Sequence, residues 1–194
     1  MGLDAAAIAA LFRDARTPRR WTGTPVDEAT LRELYALVSL GPTSGNCQPG
    51  RYVFLHTADS RERLRPALSA GNVERVIAAA AVVIVCHDPV FFDNMPRLYP
   101  AEEARSWFEG DRMLADETAL RNGTLQGGYL ILAARALGLD VAPMSGFDNA
   151  LVDDIFLAGS GWKSNFLVCL GYGDGVPDGG RAPRLEFDEA CMLL

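Results

Sequence analysis

The chain has 194 residues, of which 49% are hydrophobic and 22% charged, a composition typical of one soluble globular domain spanning residues 1–194 and not of a disordered chain. Its 25 acidic and 18 basic residues give a net charge of −7, which argues against nucleic acid as a partner, because phosphate backbones require a basic surface. The longest apolar run, residues 76–86, is about half as long as a membrane-spanning helix. We therefore expect a cytoplasmic protein that does not enter a membrane.

Cysteine and histidine usage bears on metal binding. The four cysteines include no C-x-x-C pair, and only two histidines are present to complete a ligand set. The sequence therefore predicts no metal site.

Hydrophobic periodicity and turn residues define the expected secondary structure in chain order. Two helices come first, then a polar loop over residues 41–50, and then strands that alternate with helices. The expected helices are 4–14, 27–40, 59–68, 73–79 and 111–138, and the expected strands are 51–56, 81–87, 141–144 and 165–170. This alternation predicts an α/β or α+β sandwich in which helices flank a central mixed sheet.

The long helix over 111–138 carries an unusual number of glycines. Each costs about 1 kcal/mol relative to alanine inside a helix, so we expect a backbone or a partner subunit to pack closely against them. The glycines are Gly123, Gly127 and Gly128, and the expected core leucines are Leu114, Leu125, Leu132 and Leu137.

Three polar clusters, far apart in sequence, would suit one planar, phosphorylated ligand. Residues 16–21 (RTPRRW) hold three arginines and a hydroxyl that could bind a phosphate, although a solvated basic turn is an equally simple interpretation. Residues 41–49 (GPTSGNCQP) offer more hydroxyls and carboxamides than a turn requires. Residues 143–148 (PMSGFD) follow a strand, where sheets commonly bind ligands.

The same clusters resemble those of the FMN-dependent nitroreductase family. Residues 16–21 are similar to the family's R-S-x-R-x-F opening, and residues 41–49 are similar to its A-P-S-x-x-N-x-Q-P loop. Asn72, the turn over 143–148 and Arg184 follow in the family's order, so the resemblance covers essentially the whole chain. It implies a nitroreductase-like three-layer sandwich and an intertwined homodimer with FMN at the subunit interface.

The resemblance also implies which residues bind FMN. Arg16, Thr17 and Arg20, with Arg19 as the alternative to Arg20, would hold the phosphate and ribityl chain together with Arg184. The partner chain would supply Pro42, Thr43, Ser44 and Asn46. Asn72, Ser145 and Gly146 would lie beside the flavin ring; Ser145 stands where many members have glutamate.

Residues 40–44, 104–108, 125–139, 143–149, 162–167 and 183–191 are similar to characteristic stretches of one subgroup of the family, the malonic semialdehyde reductases, which form 3-hydroxypropionate in pyrimidine degradation. It implies NADPH or NADH as the hydride donor and no catalytic side chain, because the flavin transfers the hydride. Arg105 is the candidate for binding the substrate carboxylate, and Trp107 or Phe108 could cover the flavin. An exposed arginine beside two core aromatics is the structural alternative.

Two other functions fit the same residues. One is a broad-specificity NAD(P)H-dependent nitro- or quinone reductase, and the other is a flavin-binding protein without turnover. Flavin that NAD(P)H fails to reduce would indicate the second of these.

Overall fold

The computed structural model describes residues 2–101, 103–175 and 180–194. Its α-helices are α1 (Ala5–Ile8), α2 (Glu28–Val38), α3 (Ala58–Glu62), α4 (Val73–Ala78), α5 (Met95–Leu98), α6 (Ser106–Glu109), α7 (Arg112–Ala136), α8 (Asn149–Val152) and α9 (Phe187–Ala190). Its strands are β1 (Gly50–Leu55), β2 (Ala81–His87), β3 (Asp140–Met144) and β4 (Lys163–Gly171). One π-helical turn extends α1 through Ala9–Arg13, and another extends α8 through Asp153–Leu157.

Helix α2 shows how the sequence sets an element's limits. The Asp27 carboxylate accepts a hydrogen bond from the Thr30 backbone N–H at 2.7 Å, which caps the first turn. Leu31, Leu34 and Val38 then form one buried stripe, as their spacing predicts. The helix ends just before the polar loop over residues 41–50, so the expected helix over 27–40 is confirmed.

The described strands form one sheet in the order β1-β2-β4-β3, and every neighbouring pair is antiparallel. The expected mixed sheet is therefore wrong for this chain. Helix α7 does return the chain so that β3 runs parallel to β2, as helix–strand alternation predicts. However, β4 lies between β2 and β3, so these two parallel strands never pair.

The sheet has helices on both faces, which confirms the expected three layers. Alternate residues of β2 point to opposite sides: Val83 and Val85 pack with α2 and α7, whereas Val82 and Ile84 pack with the helices over 58–79 and 149–157. A separate cluster around Phe91 lies beyond the sheet, between the 41–50 loop and the start of α7.

The glycines of α7 have different surroundings. A Cβ at Gly127 would lie 2.4 Å from Phe166 Cζ, and one at Gly123 would lie 2.9 Å from the His87 Cβ, so α7 sits directly on the sheet at both positions. Gly128 has nothing within 4 Å. The expected close approach is thus found within the chain for two of the three glycines.

The prediction that Leu114 and Leu125 of α7 belong to the core is wrong. Leu114 is 42% exposed and Leu125 is 44% exposed, because alanines, glycines and the carboxamides of Asn122 and Gln126, and not these leucines, form most of the helix face that packs against the chain. Leu137 packs against the core, as expected, and Leu132 is half-buried.

We expect Gly127→Ala to lower the free energy of unfolding by about 2 kcal/mol, because the new methyl group must displace the Phe166 ring. The matched control Gly128→Ala should instead be neutral or stabilising by up to about 1 kcal/mol. Urea unfolding of both variants at one protein concentration measures this. Equal stability of the two variants would contradict the packing described.

Within the described ranges, no helix combines the length and apolar character needed to cross a membrane. The same residues contain no group of three or more His, Cys, Asp or Glu side chains that could hold a metal ion.

Candidate active site

The loop over residues 41–50 has an unusual backbone. Gly45, Asn46 and Gln48 have φ values of 53°, 50° and 39°, a left-handed conformation that residues with a side chain rarely adopt. Side chains hold it: Asn46 Nδ2 donates to the Leu98 carbonyl at 2.8 Å, and Gln48 Nε2 donates to Asn46 Oδ1 at 2.7 Å. Asn46 and Ser44 are exposed, and Pro42 is exposed as well, whereas Thr43 is half-buried.

Asn72 and Gly146, 74 residues apart, lie in direct contact. The Gly146 carbonyl accepts hydrogen bonds from Asn72 Nδ2 at 2.9 Å and from the Ser69 backbone N–H at 3.0 Å. A Cβ at position 146 would lie 2.5 Å from Asn72 Nδ2, so this approach requires glycine. Ser145, beside them, is exposed. Asn72 and the 143–148 turn, both expected beside the flavin ring, therefore come together at one place.

The 16–21 segment runs along the end of the sheet next to α4. Trp21 Nε1 donates to the Arg75 carbonyl at 2.9 Å, and the Trp21 backbone forms a bridge with Gly173, just after β4. Because Asn72 immediately precedes α4 and Arg75 lies within it, this helix joins the 16–21 segment to the Asn72–Gly146 contact.

Arg16 has an unpaired buried donor. Its Nη1 donates to the carbonyls of Arg13 and Ala15, but its buried Nε has no hydrogen-bond partner among the residues that the structure describes. A buried N–H without a partner is costly, so the Arg16 Nε is a candidate donor to a bound water or ligand. Thr17, Arg19 and Arg20 are exposed beside it.

The positive charge around Arg16 comes partly from residues that the sequence patterns did not single out. Arg135 Nη1 donates to the Leu11 carbonyl at 2.9 Å, and Arg181 Nη2 donates to the Phe12 carbonyl at 2.7 Å. Burial, and then the charge of Arg181, lower the pKa of Arg135. Arg184 donates to the carbonyls of Ala182 and Pro183 in its own segment, so the C-terminal arginine that reaches this cluster is Arg181.

The 41–50 loop lies at the other end of the sheet. The loop leads into Gly50, which pairs with His87 at the end of β2. The 16–21 segment instead contacts the chain just after β4, and Leu170 near the end of β4 pairs with Ala81 at the start of β2. A strand of the length of β2 spans about 20 Å. In one chain, therefore, the structure does not bring the 41–49 cluster to the 16–21 cluster.

The segment over 104–109 lies beside the 41–50 loop. The Trp107 ring is 44% exposed, and its Cζ3 lies 3.6 Å from where a Gly45 Cβ would be. Phe108 is buried with its ring centroid 4.9 Å from that of Phe91. Arg105 is half-exposed and forms ion pairs with Asp93 at 3.1 Å and Glu109 at 3.2 Å. Of the two aromatics, only Trp107 thus presents its ring to the surface in this conformation.

The other polar residues that the sequence patterns missed are buried on α7. Asn122 and Gln126 are 4% and 3% exposed, and both contact the 41–50 loop. Their spacing of four residues, inside a helix otherwise rich in alanine and leucine, is the one sequence signal that could have indicated them.

Solved structures share this fold over almost the whole chain. The ydfN protein of Bacillus subtilis, assigned as a nitroreductase, superposes with a TM-score of 0.87 at 23% identity, covering 98% of this chain and 100% of its own. An Exiguobacterium sibiricum protein assigned as a nitroreductase and crystallised in complex with FMN gives 0.85 at 19% identity, covering 100% and 99%. A Staphylococcus epidermidis protein assigned as an NAD(P)H:FMN oxidoreductase gives 0.84 at 17% identity, covering 100% and 98%.

The shared architecture is an α+β sandwich of the nitroreductase type. The sequence profile of the nitroreductase family matches residues 12–172, which is most of the chain. The chain therefore belongs to the nitroreductase family.

Proposed function

We propose that this protein is an FMN-dependent oxidoreductase that works as a homodimer and takes hydride from NADPH or NADH. The unpaired, buried Nε of Arg16, within a cluster of arginines, carries the proposal. When bound, FMN would supply the hydride transfer itself, so the protein's residues need only bind and orient the ring and exclude water.

The residues present fit FMN. Arg16 offers the unpaired donor, and Thr17, Arg20 or Arg19 offer exposed hydroxyl and guanidinium groups to the phosphate and ribityl chain. Arg184 would join them through a rearrangement of its exposed segment, in which Arg181 already touches residues 12–15.

The flavin ring would lie beside Asn72 and Gly146. Gly146 leaves room for the Asn72 carboxamide to approach, and Ser145 is exposed next to it. A side chain at position 146 would displace the Asn72 carboxamide, so the glycine keeps Asn72 in place beside the proposed ring.

The dimer proposal rests on the positions of the polar clusters. Pro42, Thr43, Ser44 and Asn46 lie about a strand's length, roughly 20 Å, from the arginine cluster of the same chain. A second copy would bring its own 41–50 loop to the flavin. Exposed apolar residues on α7 and in the C-terminal segment also require cover: Met113, Leu114, Leu120, Leu125, Leu185, Phe187, Met192 and Leu193.

For the substrate, we propose malonic semialdehyde, reduced to 3-hydroxypropionate in pyrimidine degradation. The support is the likeness of residues 104–108, 125–139, 143–149 and 162–167 to the malonic semialdehyde reductases. Arg105 would bind the carboxylate by exchanging its ion pairs with Asp93 and Glu109, and the exposed Trp107 would cover the ring. Phe108, buried against Phe91, would support Trp107.

Anaerobic stopped-flow spectroscopy on FMN-loaded protein tests both levels of the proposal. Flavin bleaching by NADPH or NADH, followed by reoxidation far faster with malonic semialdehyde than with quinones or nitroaromatics, is the expected result. Reoxidation by quinones or nitroaromatics alone would indicate a broad-specificity reductase. Bound flavin that neither donor bleaches would indicate a flavin-binding protein without turnover.

We expect Arg105→Ala to raise KM for malonic semialdehyde by about 10-fold while leaving KM for a neutral quinone unchanged, because the lost guanidinium interacts with the carboxylate alone. Arg112→Ala is the matched control, since Arg112 is another exposed arginine in an ion pair, with Asp116. Steady-state kinetics with both substrates measures the effect. Equal losses for the two substrates would rule out this role for Arg105.

A further inference from the structure

Three residues on one face of α7 direct polar groups at the 41–50 loop. Asn122, Gln126 and Tyr129 are spaced by four and then three residues, so they lie along one side of the helix. Asn122 and Gln126 are almost fully buried, and buried carboxamides are retained where they make specific hydrogen bonds.

Each of the three side chains contacts a different part of the loop. Tyr129 Oη donates to the Pro42 carbonyl at 3.0 Å, near the loop's start. Asn122 Oδ1 accepts from the Ser44 backbone N–H at 2.9 Å, in its middle. Gln126 Oε1 accepts from the Gly50 backbone N–H at 2.8 Å, at its end. The helix therefore fixes the loop backbone at three successive points.

Glycine at both ends of the loop makes these contacts possible. A Cβ at Gly41 would lie 2.1 Å from Tyr129 Cδ2, and a Cβ at Gly50 would lie 2.7 Å from Gln126 Oε1. Any larger residue at either position would push the α7 side chain away. The two glycines of the loop therefore leave the space that the α7 side chains Tyr129 and Gln126 occupy.

The loop needs such support because of its own conformation. Asn46 and Gln48 hold left-handed backbone angles that persist only where the surroundings enforce them. The helix, in turn, is fixed to the sheet, since Gly123 and Gly127 allow it to sit directly on β2 and β4. The sheet therefore sets the position of α7, and α7 in turn sets the position of the loop.

We infer that Asn122, Gln126 and Tyr129 are positioning residues that hold the 41–50 loop in the shape in which it contacts the flavin of the partner subunit. This inference rests on the proposed function. The three residues set the position of the Ser44 and Asn46 groups without touching the flavin.

Two measurements test the inference: amide hydrogen exchange of the 41–50 peptide in protein without added FMN, and the dissociation constant for FMN. For Asn122→Ala and Gln126→Ala we expect about 10-fold faster exchange in this peptide and about 10-fold weaker FMN binding, the effect of losing one hydrogen bond at each point. Tyr129→Phe, which keeps the ring on Gly41, should change both in the same direction by less.

Arg121→Ala is the control on the same helix, because Arg121 is exposed and pairs with Glu117. The inference is overturned if the folded Asn122→Ala and Gln126→Ala variants match the wild type in loop exchange, or if Arg121→Ala changes it equally. If the wild type does not bind FMN, the proposed function fails while the exchange measurement still decides whether α7 holds the loop. Tyr129→Phe decides it in the same way if the two alanine variants do not fold.

Discussion

Replacing Arg16 with alanine should raise the dissociation constant for FMN by about 100-fold, because the charge-assisted hydrogen bond from its buried Nε to a phosphate is lost. Arg16 differs from the exposed Arg13, Arg19 and Arg20 because its buried Nε lacks a partner among the described residues. Fluorescence titration of the flavin-free protein measures the effect, since bound and free FMN differ in emission.

Arg13→Ala is the matched control for this prediction. Arg13 lies one turn before Arg16, is exposed, and offers its carbonyl, not its side chain, to Arg16 and Arg181. It should bind FMN within about 2-fold of the wild type, as expected for an exposed charge outside the site. Comparable losses in both variants would mean that general positive charge, and not the Arg16 side chain, attracts the phosphate.

The second prediction concerns the subunit origin of the loop. Ser44→Trp, at an exposed position of the 41–50 loop, should leave the fold intact but fill the space before the flavin. At an FMN concentration that saturates the wild type but not Arg16→Ala, homodimers of Ser44→Trp or of Arg16→Ala should each be almost inactive. A purified heterodimer of the two should recover about half of the wild-type activity, because one of its two sites then combines unaltered parts of both chains.

Recovery of activity in the heterodimer distinguishes a site shared between two subunits from a site formed within one chain. If one chain supplied both Arg16 and Ser44 to the same flavin, each site in the heterodimer would carry one lesion, and activity would stay at the level of the homodimers. Two successive affinity steps, with a different tag on each chain, isolate the heterodimer. Absence of recovery in a heterodimer that binds FMN would exclude a site shared between subunits.

The Arg51 side chain supports the end of the sheet where the 41–50 loop lies, because its Nη1 donates to the carbonyls of Gln48 and Gly50. Arg51 donates to Asp88 at 2.7 Å, and its guanidinium lies over the Trp162 ring, 5.8 Å from the centroid. These residues join β1, the segment after β2 and the segment before β4, all at the end of the sheet where the 41–50 loop lies. They support that end of the fold without reaching the arginine cluster.

The sequence alone determined most of the elements, because local signals specify them. The strand predicted from the apolar, β-branched run over 81–87 begins and ends where β2 does. The Asp27 cap and the leucine stripe that follows it define α2. Motif order was equally informative, since the polar clusters indicated the family that the profile match then established.

Only the tertiary structure decided how these elements pair and which residues face inward. Helix–strand alternation does not reveal that β4 inserts between β2 and β3, because strand order depends on contacts between residues far apart in sequence. Leu114 and Leu125 match the pattern of a core helix, yet Asn122 and Gln126 take the buried positions, because the 41–50 loop offers their carboxamides backbone N–H donors. Other long-range contacts place Arg181 beside residues 12–15. Its hydrogen bond to the Ala15 carbonyl joins residues 166 positions apart, which no local pattern encodes.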